Sequence, residues 1–203
     1  MAKANWVKVN PASGSGNATV NVSSTTEHTG RKARTSILTW KAANVADVTR
    51  NVSQAGKPEK DALQFDASAA ADKAGKLVTI SGVSNSEKLT FSFGNGDLTD
   101  ITLPSTYTAN SVSTTNGAKI SGDPGAAAEY NFSISITVPA NNETAAKTRQ
   151  IIVEDGAGNR AICTLTSAAG DAYVTVQEGT IELDYKGTAV PWTVESNTTW
   201  SIE

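Results

Sequence analysis

The chain of 203 residues has room for one large β domain or two of about 100 residues each. Hydrophobic residues make up 38% and aromatics 6%, so any core must be small and built from Val, Ile and Ala. A formal charge of -3 gives no broad attraction for nucleic acid, and no apolar run is long enough to span a membrane.

Period-two alternation of apolar and polar residues dominates from the start. Val7 and Val9 share a face before Pro11, Gly14 and Gly16 break the strand, and Val20 and Val22 resume it. A polar turn around His28 and Gly30 leads into a strand over 33–41, with Ser36, Leu38 and Trp40 on one face. A turn at Ala43 and Asn44 gives a return strand over 45–52. Leu63 and Phe65 predict a short strand, and the Ala-rich stretch 67–74 reads as one helical turn or a loop. Further strands are predicted over 77–81, 88–93, 101–103 and 107–112, with Asn116-Gly117 as a hairpin turn. Phe132, Ile134, Ile136 and Val138 line one face of a strand over 130–138. Strands over 148–154 and 159–165 flank a hairpin turn at Asp155, Gly156 and Gly158. No segment has the 3.6-residue apolar period of a long helix. Short, regularly spaced strands with Gly, Pro and Asn punctuation are the signature of an all-β sandwich.

Residues that could carry chemistry are sparse. His28 is the only histidine and falls in a polar turn, with no nucleophile motif to support it. Cys163 alternates with Ala161 and Leu165, which reads as a small core residue and rules out an internal disulfide. Glu154, Asp155, Asp97 and Asp100 sit near turns without the spacing of a calcium loop. The expectation is a chain that is not an enzyme and needs no cofactor or metal. Arg31, Lys32 and Arg34 form the densest basic patch, a candidate anchor on an acidic partner surface. Trp6 falls out of register with Val7 and Val9, so it is a candidate exposed contact, whereas Trp40, Trp192 and Trp200 share faces with apolar residues and read as core.

The sequence repeats itself. Residues 7–56 match 119–170 in layout, including Arg34 against Arg149 and Gly56 against Gly170. The remaining halves also match: Leu63, Phe65, Val78, Ile80, Ser84, Asn85, Leu89 and Phe91 align with Ile181, Leu183, Trp192, Val194, Ser196, Asn197, Trp200 and Ile202. The predicted organisation is therefore two immunoglobulin-like β-sandwiches. One is contiguous over 57–170; the other is split, with 171–203 supplying its opening strands and 1–56 the rest. Trp192, Ser196, Asn197 and Trp200 mark the junction of the split unit. Half a sandwich exposes an apolar face and open strand edges, so the halves must meet. Closure within one chain benefits from a high effective concentration; the alternative is completion by a neighbouring chain, a form of strand exchange.

Read from the C-terminal piece into the N-terminal one, the split unit resembles the BACON domain, an immunoglobulin-like module common in Bacteroidetes proteins and their phages. The resemblance rests on Ser196, Asn197 and Trp200, on Trp6 entering the turn with Gly14 and Gly16, on Arg34, and on the closing Gln54 and Gly56. The central copy keeps the layout but has Leu89 or Phe91 where Trp is expected and no closing Gln. The resemblance implies a virion protein of phages of the crAss-like kind, a capsid decoration (auxiliary) or head-fibre component. Its expected partners are capsid or other virion proteins, and further copies of itself. With Met1 read as a start and no signal peptide, synthesis in the host bacterial cytoplasm and residence in the virion are expected. The binding of glycans or mucin proposed for the family implies the alternative, a carbohydrate-binding module directed at a host-surface glycan. Neither nucleic acid nor membrane is an expected partner.

Overall fold

The structure is a computed structural model that describes residues 2–203, and it is nearly all β. At the N-terminus β1 (Val7–Asn10) pairs antiparallel with β2 (Asn21–Ser24), and β3 (Arg34–Ala42) with β4 (Val45–Gln54). The second hairpin turns at Asn44, whose φ of 61° is left-handed. Asn enters that region at lower cost than most residues because its short side chain bonds locally. The two ribbons meet through the Ala4 N–H, which donates to Ser36 Oγ, and through Arg34 stacked over the Trp6 ring. Val7 and Leu38 are their buried apolar residues.

The central region is a closed two-layer unit. After a one-turn helix α1 (Glu59–Ala62) come β5 (Gln64–Phe65), β6 (Ser68–Ala71), β7 (Lys76–Ser84), β8 (Leu89–Gly96), β9 (Thr106–Ala109) and β10 (Val112–Thr115). A 3-10 turn at Pro124–Ala126 precedes β11 (Tyr130–Val138), β12 (Lys147–Asp155) and β13 (Arg160–Ser167). One sheet has the order β10-β9-β11-β7-β5 and the other β6-β13-β12-β8. Strict alternation along β11 turns Tyr130, Phe132, Ile134, Ile136 and Val138 inward, as the sequence period requires. They pack with Ile80, Leu89, Phe91, Ile151, Val153, Cys163 and Leu165 into one core. Phe91 holds its centre, in contact with Phe65, Phe132 and Tyr107 at ring-centroid distances of 6.1, 5.9 and 5.0 Å.

Beyond this unit β14 (Val174–Val176) and β15 (Val194–Ser196) form a third two-stranded ribbon. It shares no sheet with β1–β4. The apolar residues of this segment lie open: Ile181, Leu183, Trp200 and Ile202 are all exposed, and Trp192 is half-buried. On the N-terminal ribbons Trp40, Val45 and Val48 are exposed as well. Trp40 and Trp200 are thus not the core residues that their alternation predicts, because among the described residues no second sheet stands opposite their ribbons.

Local departures from the predicted elements have identifiable causes. The stretch 67–74 is neither helix nor loop. Its residues 68–71 form β6, paired parallel with β13, where small side chains suit an edge that packs on a full core. The helical turn falls earlier, at α1, just after Pro58. The predicted strand over 107–112 breaks at Asn110 and Ser111, both with positive φ, into the hairpin β9–β10. Residues 101–103 form no strand, although Ile101 is buried against the core. In the C-terminal ribbon Val174–Val176, rather than 181–183, pairs with the strand after Trp192, so β14 is the counterpart of β5; with Ser196 at the place of Ser84, Trp192 falls at Ile80 rather than at Val78.

Ile134→Ala, in the middle of β11, is expected to lower stability by about 2–5 kcal/mol in denaturant unfolding, since it leaves a cavity in a closed core. Trp40→Ala in the dilute chain should change stability by less than about 1 kcal/mol, because its side chain is already 42% exposed.

Candidate interaction site

The basic residues of the predicted anchor are drawn to the boundary between the N-terminal ribbons and the central unit. Arg31 donates from Nη1 to the carbonyl of Asn85 at 2.8 Å, and from Nη2 to both carboxylate oxygens of Asp123 at 2.7 Å. Glu59 and Glu87 lie 3.8 Å from the same guanidinium, whose side chain is 15% exposed. Arg34 donates to Gln54 Oε1 and to the carbonyl of Thr26, with Trp6 beneath it at 4.7 Å. Lys32, at 69% side-chain exposure, is the open member of the predicted patch, and its Nζ also lies 3.5 Å from Asp123. Arg31 and Arg34 do not form a free cationic surface, because their donors are engaged within the chain. Trp6 is half-buried under Arg34 and is no open stacking platform.

Asn85 organises this boundary. Its side chain is fully buried, and Nδ2 donates to the carbonyls of Thr29 and Lys57, clasping both chain segments that come from the N-terminal ribbons. Backbone bonds seal the contact: the Arg31 N–H reaches the Gly125 carbonyl at 2.8 Å and the Lys32 N–H reaches Ala126 at 3.1 Å. Gly30 and Gly125 permit this approach, since a Cβ on either would lie 2.3 Å from Ala127 C or 2.0 Å from Asn85 O. Lys57 adds an ion pair with Glu129 at 2.7 Å. That bond lifts the Lys57 pKa above its usual 10.5, against the opposing effect of burial. Burial pushes the Asp123 carboxyl up, but the hydrogen bond and charge of Arg31 outweigh it, so the net shift is downward.

A second boundary of the same design lies at the other end of the central unit. Asn197 Nδ2 donates to the carbonyls of Asn142 and Asp171, and Lys73 pairs with Asp171. The correspondence is residue by residue, at a nearly constant sequence offset: Asn197 for Asn85, Asn142 for Thr29, Asp171 for Lys57. His28 and Asn141 are likewise matched. The His28 Nε2–H donates to the Lys32 carbonyl at 2.6 Å, and Asn141 Nδ2 donates to that of Ala145 at 2.8 Å. His28 is therefore a buried turn-closing donor and not the solvated residue that its polar neighbours predict.

The remaining candidates have structural partners too. Asp155 closes the β12–β13 turn, with Oδ1 accepting from the N–H groups of Ala157 and Asn159. Asp97 Oδ1 accepts from the Thr148 N–H at 2.7 Å, which holds its pKa below the usual range. Cys163 is fully buried, and burial pushes its thiol up to about 11. An open depression of about 600 Å³ on the five-stranded sheet is lined by residues of β5, β7, β9 and β11, among them Ser81, Asn131 and Ser133, and by Asp66. Among the described residues no helix is long and apolar enough to cross a membrane, and no group of three metal-binding side chains converges.

The sequence matches no protein-family model and no curated protein. The features that sequence reasoning missed are the partners of the two clasps. The paired Ser-Asn steps at 84–85 and 196–197 were visible as a repeat, but their acceptors are backbone carbonyls, which carry no sequence signature.

Asn85→Ala leaves two inward-facing carbonyls without their donor, and is expected to cost roughly 1–3 kcal/mol and to loosen the N-terminal ribbons. Broadening of the particle in small-angle scattering, with the core transition retained, is the expected result. For Asp123 the folded pKa is depressed, so its contribution is complete above its unfolded value of about 4 and is lost as pH falls below it. The protection factors of the Arg31 and Lys32 amides, which divide out the intrinsic pH dependence of exchange, should therefore fall below about pH 4 and stay constant from there to neutrality.

Proposed function

We propose that the chain is a non-enzymatic structural protein of a phage particle, a capsid decoration or head-fibre component that binds the shell through immunoglobulin-like modules. The observation that carries this reading is the boundary built twice. A chain that repeats one module and seals successive modules with the same asparagine clasp is organised to set distance and direction on a surface. The candidate chemical groups support a structural role, because Asp97, Asp155, His28 and Cys163 serve turns and the core. The assignment to a virion draws on the resemblance of the split unit to BACON modules, carried by Trp6, Arg34, Gln54, Ser196, Asn197 and Trp200. Arg34, Gln54, Ser196 and Asn197 all hold hydrogen bonds that shape the two end segments.

A peptide-mass inventory of purified virus particles from the source of this gene tests the proposal. The chain should be present in many copies per particle and should cosediment with empty shells. Its absence from particles, together with millimolar or tighter binding to host glycans, would replace this reading with that of a carbohydrate-binding module.

A further inference from the structure

The two open ends of the molecule are complementary pieces of one sandwich. Matching the ends to the central unit makes this explicit. Within the N-terminal ribbons β2 stands for β11, β3 for β12 and β4 for β13. Hairpin register sets the match: Arg34 faces Gln54 as Lys147 faces Ser167, which puts Arg34 at Lys147 rather than at Arg149. Leu38 then takes the place of Ile151, and the exposed Trp40 that of the fully buried Val153. In the central unit the edge of β11 is covered by β7, that of β12 by β8, and that of β13 by the parallel strand β6. Among the described residues the equivalent edges of β2, β3 and β4 carry no strand.

The C-terminal segment holds the missing set in the right order. There β14 stands for β5 and β15 for β7; residues 180–183 stand for β6 and 199–202 for β8. The inward residues correspond as well: Ile181 and Leu183 for Ala69 and Ala71, Trp192 for Ile80, Trp200 and Ile202 for Leu89 and Phe91. Every one of those central residues packs in or against the core. Among their counterparts, Trp200 is 51% and Ile202 84% exposed.

Geometry decides how the pieces meet. The N-terminal ribbons are clasped at the Asn85 end of β7, and the C-terminal ribbon at the opposite end, beside Lys73 and Asn142. Strand β7 separates them by about 26 Å at the rise of an extended chain. Closing the split unit within one molecule would require one of the two clasps to open. A neighbouring molecule requires neither.

We propose that residues 173–203 of one molecule complete the N-terminal ribbons of the next copy, so that the protein assembles head to tail. Segment 199–202 pairs with β3, β15 with β2, and residues 180–183 run parallel to β4. Trp200 and Ile202 are buried against Leu38 and Trp40 of the acceptor. The contact is heterologous, with donor and acceptor surfaces on different parts of the chain, so the array stays open unless its rotation closes a ring.

Light scattering behind a sizing column, at rising concentration of the whole 203-residue chain, is the first reading. A mass climbing above the 21.0 kDa of one chain is expected, and a mass fixed at that value up to the solubility limit would overturn the proposal. Two variants then assign the surfaces. Trp40→Glu disables the acceptor and Trp200→Glu the donor; both side chains are exposed in the single chain, and an unchanged circular dichroism melt confirms folding. Each variant alone should stay monomeric, while their equimolar mixture should form a species of twice the chain mass and nothing larger. Dimers formed by Trp200→Glu alone would instead mean that like faces meet, and a monomeric mixture would mean that the ends do not recognise each other. Either result refutes head-to-tail completion.

Discussion

A β-sheet buries its apolar face only where a second layer stands opposite, and leaves its backbone donors and acceptors unspent wherever an edge lacks a neighbour. That requirement is met once in this molecule. Between β5 and β13 the two sheets face one another over their whole width, and Ile80, Leu89, Ile134, Ile136, Ile151, Val153 and Leu165 are all fully buried between them. On either side stand two-stranded ribbons with no second layer opposite them among the described residues. The consequence is visible in matched residues: Val153 is sealed from water and Trp40, in the same place of the plan, is not.

What joins the closed unit to its flanking ribbons is polar. Each boundary turns on an amide side chain that donates two hydrogen bonds to carbonyls from two separated stretches of chain. An amide suits this task because its two N–H donors diverge from one atom and its neutrality avoids the cost of burying a charge. The N-terminal boundary adds charge on top of this frame, with Arg31 shared among Asn85, Asp123, Glu59 and Glu87. A guanidinium serves there because its fork of donors reaches several acceptors at once. Arg31 therefore looks like a surface anchor in the sequence and acts as an internal bolt in the fold.

The strands with clean alternation were legible from residues alone. Those over 130–138, 148–154 and 159–165 match β11, β12 and β13 closely, because one face of each is fully buried and the period is enforced. Cys163 was legible as core for the same reason. Strand β6 was not, since Ala-rich sequence carries no period and its pairing with β13 is a long-range event. The β9–β10 turn was missed because Asn110-Ser111 lacks the glycine that usually marks it. Trp40 and Trp200 show a different limit. Alternation says which residues share a face, but not whether anything lies across from it. Likewise the polar neighbours of His28 and the basic neighbours of Arg31 point outward from the fold, while their partners are backbone groups or residues distant in sequence.

Strands β6 and β13 also determine how the central unit would bear a load. The chain comes into this unit beside Asn85 and leaves it beside Asn142, so tension along the molecule, passed on through α1 and β5, pulls β6 backward and β13 forward. These two strands are parallel and laterally bonded, from Ser68 opposite Thr164 to Ala71 opposite Ser167, with the Thr164 and Ala168 N–H groups bonded to Ala67 and Ala71. Opposed forces on parallel neighbours act along the strands, across the direction of their hydrogen bonds. The bonds are then strained together and must fail together, whereas a hairpin pulled apart at its open end gives way one rung at a time. The short alanine strand is thus placed as a mechanical clamp, and the unit should be stiffest against force applied end to end.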